Sequence, residues 1–258
     1  MKEFTAEQRR EEIVKELQTT GKVRVLDLSR KFGISEVSIR NDLLLLESLG
    51  RLNRVHGGAV GPNALYGSMN SSERYNTNVN FKKVLAEKVA ELVDDNDTVM
   101  MNAGTTLTYV LRALRRKKNI SIVTNSIQNA NEINQYPTFN VTLLGGQIDP
   151  RYQFTYGNDT IGQLKNYHAN KCILSLDGVS PTSGLSLYYT NEATTIRAMM
   201  ELADTVIVAA DASKIGKTTF TRVADVSDID VLVTNRAPEK AKEIEQLKKE
   251  GIRVYEAE

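Results

Sequence analysis

Residues 25–60 read VLDLSRKFGISEVSIRNDLLLLESLGRLNRVHGGAV, and their punctuation decides the architecture of the N-terminal part of the chain. Val25, Leu28 and Phe32 recur at spacings of three and four, the period of an amphipathic helix. Gly33-Ile34-Ser35 breaks it: Gly33 can take the positive φ that ends a helix, and Ser35 can cap the next one. Ile39, Leu43, Leu46 and Leu49 then mark the buried stripe of a further helix over 36–49, stopped by Gly50. Residues 51–60 predict a short β-hairpin with Gly57-Gly58 at its turn or exit. Upstream, residues 7–19 place Ile13, Val14 and Leu17 on one helical face, with Thr5 as cap.

Helix, helix, glycine turn, helix, hairpin is the order of a winged helix-turn-helix domain. In such a domain the third helix enters the major groove by its N-terminal residues, and the wing meets the backbone or minor groove. Ser35, Glu36, Ser38, Arg40 and Asn41 fall off the buried stripe and can hydrogen-bond. Arginine grips guanine or phosphate, and asparagine reads adenine. Arg51, Arg54 and His56 lie on the hairpin. The alternative reading is a three-helix packing module whose polar face is only solvated. The run 35–60 also resembles the DeoR family of bacterial transcriptional regulators, whose recognition helix reads approximately S-x-x-T-[IV]-R-[RK]-D-L and whose wing ends R-x-H-G-G-A. Ser35, Ser38, Ile39, Arg40, Asp42 and Leu43 follow the first pattern, and Arg54, His56, Gly57, Gly58 and Ala59 the second. Asn41 stands where that family usually carries a basic residue, which removes one phosphate contact and leaves Arg40 the stronger candidate.

Residues 61–80, GPNALYGSMNSSERYNTNVN, hold no helical or strand period and read as a linker between a domain at 1–60 and a second at 81–258. Beyond it, helices alternate with short apolar runs, among them TVMMN at 98–102, ISIVT at 120–124, NVTLL at 140–144, KCILSL at 171–176, TVIVAA at 205–210 and DVLVT at 230–234. That alternation predicts an α/β domain with a mostly parallel sheet covered by helices on both faces.

Strand ends carry the candidate chemistry here. The first runs from Asn102 into Gly104-Thr105-Thr106, where a tight turn and the amides of a helix N-terminus make a phosphate cradle, or else only a helix cap. The second ends in Thr124-Asn125-Ser126, and the third in Gly145-Gly146. Ligands of open α/β sheets bind at the C-terminal ends of strands. Asp177, after strand 171–176, and Glu192, opening a later helix, can accept bonds from sugar hydroxyls. Lys214 supplies a point charge for phosphate. Asp211 reads better as a turn cap, and Arg197 as a surface or interface residue.

N-A-G-T-T, T-N-S, G-G, L-D-G, N-E-A and D-A-S-K, in this order, extend the resemblance to the effector domain of DeoR-family regulators, which is similar to ribose-5-phosphate isomerase type A. The resemblance implies a pocket for a phosphorylated sugar. Ser180 stands where the isomerase would need a second acid, and Ala193 where it would need lysine, so much of the proton-transfer apparatus is missing. Asn102 replaces an Asp common in the family. The expected function is a repressor of a sugar uptake or catabolism operon, released from operator DNA by a phosphorylated sugar. The competing reading is an isomerase-like enzyme with an appended DNA-binding domain.

Composition bounds rather than decides. The chain has 258 residues, 41% of them hydrophobic, with 33 basic and 32 acidic side chains. This is enough apolar content for a core and too near neutrality to announce a nucleic-acid partner. Residues 1–60 carry 11 Lys/Arg and 9 Asp/Glu. A reader with so little positive charge neutralises few phosphates, so a homodimer or higher assembly is expected. One cysteine and two histidines make a disulfide framework or zinc cluster improbable, and no metal or cofactor is expected. The charged N-terminus lacks the apolar stretch of a signal peptide, and no run reaches the ~18–20 apolar residues of a membrane span. A cytoplasmic location is expected.

Overall fold

The computed structural model describes residues 4–20, 22–49, 51–55, 57–60, 69–133 and 135–258, in two units, Met1–Met69 and Asn70–Glu258. His56, Gly50 and residues 61–68 of the expected linker lie outside the described residues.

In the first unit, α1 (Ala6–Thr20) leads into β1 (Lys22–Arg24), α2 (Val25–Phe32), α3 (Glu36–Ser48), β2 (Asn53–Val55) and β3 (Gly58–Val60). Three of the punctuation marks, Thr5, Gly33 and Ser35, do what their chemistry suggests. Thr5 Oγ1 accepts the Gln8 amide, Gly33 sits at φ 64°, and Ser35 Oγ accepts the Ser38 amide. The hairpin gains a third strand that three residues were too short to reveal: β1 pairs antiparallel with β3, in the order β1-β3-β2. Gly58 permits it, because a Cβ there would lie 2.1 Å from the Val23 carbonyl oxygen.

The core gathers Ile13, Leu17, Leu28, Ile39, Leu43, Leu46 and Leu52. Leu49, expected on the buried stripe, is 53% exposed. The helix ends there, and the turn made by the Arg51 amide on the Leu46 carbonyl brings Leu52 inward instead. The remaining buried position of α3 is a carboxylate. Asp42 accepts from Arg9 Nε at 2.6 Å and Arg10 Nε at 2.7 Å, tying α3 to α1. Removing one partner of a buried pair strands the other. Asp42→Ala is therefore expected to destabilise this unit by about 2 kcal/mol, discounted because Arg10 is partly solvated. Faster hydrogen exchange at the α3 amides of the full chain checks it; unchanged exchange would count against the clamp.

The second unit opens with α4 (Ser71–Tyr75) and α5 (Val79–Glu91). The polar stretch read as linker thus becomes structure at its end. A capping box, with Asn70 on the Glu73 amide and Glu73 on the Asn70 amide, starts a turn too short to show a period. Then follow β4 (Thr98–Met101), α6 (Thr105–Leu114), β5 (Ser121–Thr124), α7 (Ile127–Ile133) and β6 (Asn140–Leu143). After the hairpin β7 (Gln147–Asp149) and β8 (Phe154–Tyr156) come α8 (Asn158–Leu164) and β9 (Ala169–Leu174). A second group holds β10 (Gly178–Ser180), β11 (Gly184–Leu187), α9 (Thr190–Glu201), β12 (Ala203–Ala209) and β13 (Thr221–Ala224). The chain closes with β14 (Val231–Asn235), α10 (Ala241–Lys249) and β15 (Arg253–Ala257).

Seven strands form one sheet in the order β15-β14-β12-β9-β4-β5-β6, every pairing parallel. Side-chain alternation feeds two cores. Val99, Met101, Ile173 and Ile207 pack with Leu85, Val89, Leu107 and Leu111 of α5 and α6. Met100, Cys172, Leu174 and Val208 pack with Leu164, Ile196, Met199 and Leu247 of α8, α9 and α10. A small antiparallel sheet, β10-β11-β13, was absent from the sequence pattern; its strands are three or four residues long.

Strand order fixes the site. From β4 the chain winds outward through β5 and β6, then returns to lay β9 on the other side of β4. The reversal between β4 and β9 leaves a crevice at their C-terminal ends.

Candidate functional site

On the reader, α3 presents Arg40 and Asn41 to solvent, with Glu36 and Ser38 half-exposed beside them. Ser35 is occupied as the cap, and its hydroxyl also lies 3.0 Å from that of Ser38. Each described arginine of the candidate set rests against a glutamate. Arg40 pairs with Glu36 at 2.8 Å, Arg54 with Glu47 at 2.7 Å and Arg51 with Glu11 at 3.6 Å. Pairs this exposed contribute about 0–1 kcal/mol, so phosphate or guanine can displace the carboxylates cheaply.

In the second unit the β4/β9 crevice is held by a buried polar network. Asn102 Oδ1 accepts the Ser175 amide at 2.8 Å, and its Nδ2 donates to the Ser175 carbonyl at 3.1 Å, locking the two strand ends together. Glu192 Oε1 accepts the Ala103 amide at 2.9 Å and Asn102 Nδ2 at 3.2 Å. Burial pushes the Glu192 carboxyl up to about 7, with Asp177 adding to the rise. Gly104 precedes α6 with no side-chain cap, and its bare Cα is required: a Cβ would sit 2.5 Å from Ser175 Cβ. The amides of Thr105 and Thr106 thus open a helix beside the crevice.

Asp177, buried after β9, is engaged through both oxygens. Its Oδ2 accepts the Tyr188 amide at 3.0 Å, and its Oδ1 accepts Arg74 Nη1 at 3.2 Å. Arg74 comes from α4 and is enclosed by Tyr152, Tyr188 and Tyr189, whose ring centroids lie 5.1, 5.8 and 5.3 Å from the guanidinium. Lys82 Nζ donates to the Arg74 carbonyl. Lys82 is 1% exposed and Lys214 3% exposed. Burial is the main cause lowering Lys82 to about 7, against the pull of Asp211 and with the repulsion of Lys214 and Arg74. Lys217 is lowered to about 7 for the same first reason, with Lys214 and Arg74 repelling and Asp177 and Asp211 attracting. Arg74, Lys82, Lys214 and Lys217 therefore form one electrostatic cluster around two carboxylates, an arrangement that favours an anionic guest.

Sequence reasoning missed Arg74, Lys82 and Lys217. Arg74 sat in the presumed linker and Lys82 at its edge. Lys217, three residues past Lys214, was the one with a visible signal.

Other candidates are placed apart from this cluster. Thr124 Oγ1 accepts the Ser126 amide, and Ser126 Oγ caps α7 at the Asn129 amide. Asn125 joins the Glu192 network, and its Nδ2 donates to the Thr155 carbonyl. Gly145 and Gly146 lie beyond the edge strand β6 and pack on α8, where Thr160 Oγ1 donates to the Gly145 carbonyl. At Gly146, φ 144° and a Cβ 2.2 Å from Thr160 Oγ1 explain the glycine by packing. Asp211 caps its turn through the Ser213 amide, and Arg197 donates to the Val223 and Arg222 carbonyls. At the two positions where an isomerase would carry further proton-transfer groups, Ser180 Oγ accepts the Ser183 amide in a turn and Ala193 is buried in the core. Among the described residues no group of three His, Cys, Asp or Glu is placed to hold a metal ion, and no helix is long and apolar enough to cross a membrane.

The DeoR-like helix-turn-helix domain matches residues 9–64, and the DeoR C terminal sensor domain matches residues 77–236. A putative aga operon transcriptional repressor of Escherichia coli O157:H7 is 30% identical over 96% of this chain and 92% of its own. The lactose phosphotransferase system repressor of Streptococcus mutans is 32% identical over 89% of this chain and 92% of its own. The HTH-type transcriptional repressor GlcR of Bacillus subtilis is 31% identical over 81% and 80%. With both family models and relatives of this extent in agreement, the chain belongs to the DeoR family of transcriptional repressors, a DNA-binding regulator rather than an enzyme.

Proposed function

We propose that this repressor controls a sugar uptake or catabolism operon and leaves its operator when a phosphorylated sugar binds the β4/β9 crevice. The observation that carries the reading is the cation cluster of buried Lys82 and Lys214 with half-buried Arg74 and Lys217, beside the hydrogen-bonding carboxyls of Asp177 and Glu192. A phosphate ester satisfies the first, and sugar hydroxyls the second. The relatives' names point the same way: one is a lactose phosphotransferase system repressor, another a glycerol-3-phosphate regulon repressor. Within this reading Asn102, Gly104, Thr105, Thr106, Asn125, Asp177, Glu192 and Lys214 contact the guest directly. Thr124, Ser126, Gly145 and Gly146 shape the strand ends behind it.

Ser38, Arg40, Asn41, Arg51 and Arg54 touch DNA, with Glu36 accepting from a base, and a homodimer presents two such surfaces. Release is a population shift, in which the guest must bind the operator-incompetent arrangement better. A coupling of about 1–3 kcal/mol changes operator affinity by about 5–150-fold. A thermal-shift screen against a panel of sugar phosphates tests the pocket, since stabilisation grows with ligand concentration over Kd. Stabilisation by one ester and not by its unphosphorylated sugar is expected; no response to any would sink the reading.

A further inference from the structure

The loop after β12 folds back on itself so that Lys217 returns to the crevice. The Gly216 amide donates to the Val179 carbonyl, Gly216 turns at φ 74°, and the Thr219 amide donates to Ser186 Oγ. Gly178 accommodates the return, since a Cβ there would lie 2.5 Å from the Lys217 carbonyl oxygen. The loop therefore delivers Lys217 Nζ to a position 4.9 Å over the Tyr188 ring, buried and with no hydrogen-bond acceptor among the described residues. Facing it are Arg74 from α4, Asp177 after β9, Tyr188 after β11, and Asp211 and Lys214 after β12. Asp177 is already engaged by Arg74 and the Tyr188 amide, and Asp211 by the Ser213 amide. A buried ammonium without an acceptor is costly, and a guest oxyanion is the group that would complete it.

We propose that Lys217 is a direct ligand of the effector's anionic group and that binding of a dianion draws a proton from solvent onto its amine, making sensing pH-dependent. This rests on the pocket reading above and adds to it a ligand and a linkage. Burial holds Lys217 near 7, so at pH 8 most of it is neutral amine. A dianion beside it favours the ammonium. Binding therefore takes up a proton, and affinity falls as pH rises above about 7, by up to about tenfold per pH unit for one linked proton. Lys82, also near 7, can add to the slope, but it already has the Arg74 carbonyl as acceptor.

Sulfate is the decisive probe, because it stays a dianion across the range and any proton uptake belongs to the protein. Its Kd for the full chain, with inorganic phosphate as a second probe, would be measured by calorimetry from pH 6.5 to 9.0 in two buffers of different ionisation enthalpy. Wild type is expected to bind more weakly as pH rises, with net proton uptake. Lys217→Arg, permanently charged, should bind at pH 8.5 at least as tightly as wild type and lose about one proton from the slope. Lys217→Met should weaken binding at pH 7 by about 10-fold or more. An Arg variant with the wild-type slope overturns the linkage, and a Met variant with wild-type affinity overturns the ligand. Failure of the pocket reading has a different signature: wild type itself would bind neither anion at any pH.

Discussion

Arg40→Ala should weaken specific operator binding on the order of 100-fold while leaving the fold and effector binding in place. Arg40 is exposed on α3, off the buried stripe of Ile39, Leu43 and Leu46, so truncation creates no cavity. Its partner in the free protein is Glu36 at 2.8 Å, an exposed pair worth at most about 1 kcal/mol. In the proposed complex the guanidinium would exchange this for a bidentate contact with guanine or a phosphate, worth about 1–3 kcal/mol each. Two copies in the proposed homodimer would double the loss, which brings the expected effect to about two orders of magnitude. Anisotropy titration against an operator selected by the wild-type protein from random DNA reads it directly. Arg40→Lys separates the two roles. A phosphate contact survives the exchange, whereas a bidentate base contact does not. Unchanged affinity in the Ala variant would mean that α3 is not the element docked in the groove.

Periodicity made most of the fold legible because the core obeys it. The i, i+3, i+4 pattern placed α2 at the residues where it is found, and the apolar runs quoted above fall on six of the seven strands of the parallel sheet. What escaped was held together by long-range contacts. β1 exists because Gly58 lets it approach β3, and α4 because Arg74 reaches Asp177, 103 residues away in sequence. No local period records either. Of the strand ends singled out in the sequence, those at Asn102, Gly104 and Asp177 flank the switch point. Gly145 and Gly146 follow β6, and a linear sequence does not reveal that β6 is the outermost strand. Leu49 shows the same limit on a smaller scale, since a helical stripe does not say where the helix stops.

The pocket's largest expected effect comes from Lys214→Met, and its two consequences have opposite signs. Lys214 is buried on the turn that Asp211 caps, and methionine keeps most of its volume while removing the charge. A lost charge-assisted bond to a phosphate ester costs about 1.5–3 kcal/mol, so the sugar phosphate concentration needed to release the operator should rise about 10–100-fold. The empty protein should respond otherwise. Lys214 repels both Lys82 and Lys217, so its removal relieves like-charge crowding and should leave the melting temperature unchanged or raise it. Operator affinity without effector should match wild type, because the substitution lies in the second unit and the reader is untouched. A variant that melts lower and binds operator poorly would make Lys214 a structural residue. One that responds at the wild-type effector concentration would move the phosphate out of this crevice. The combination of a steadier empty protein and a deafened sensor is what a binding site maintained against the interest of stability produces, since the cation cluster is costly until its guest arrives.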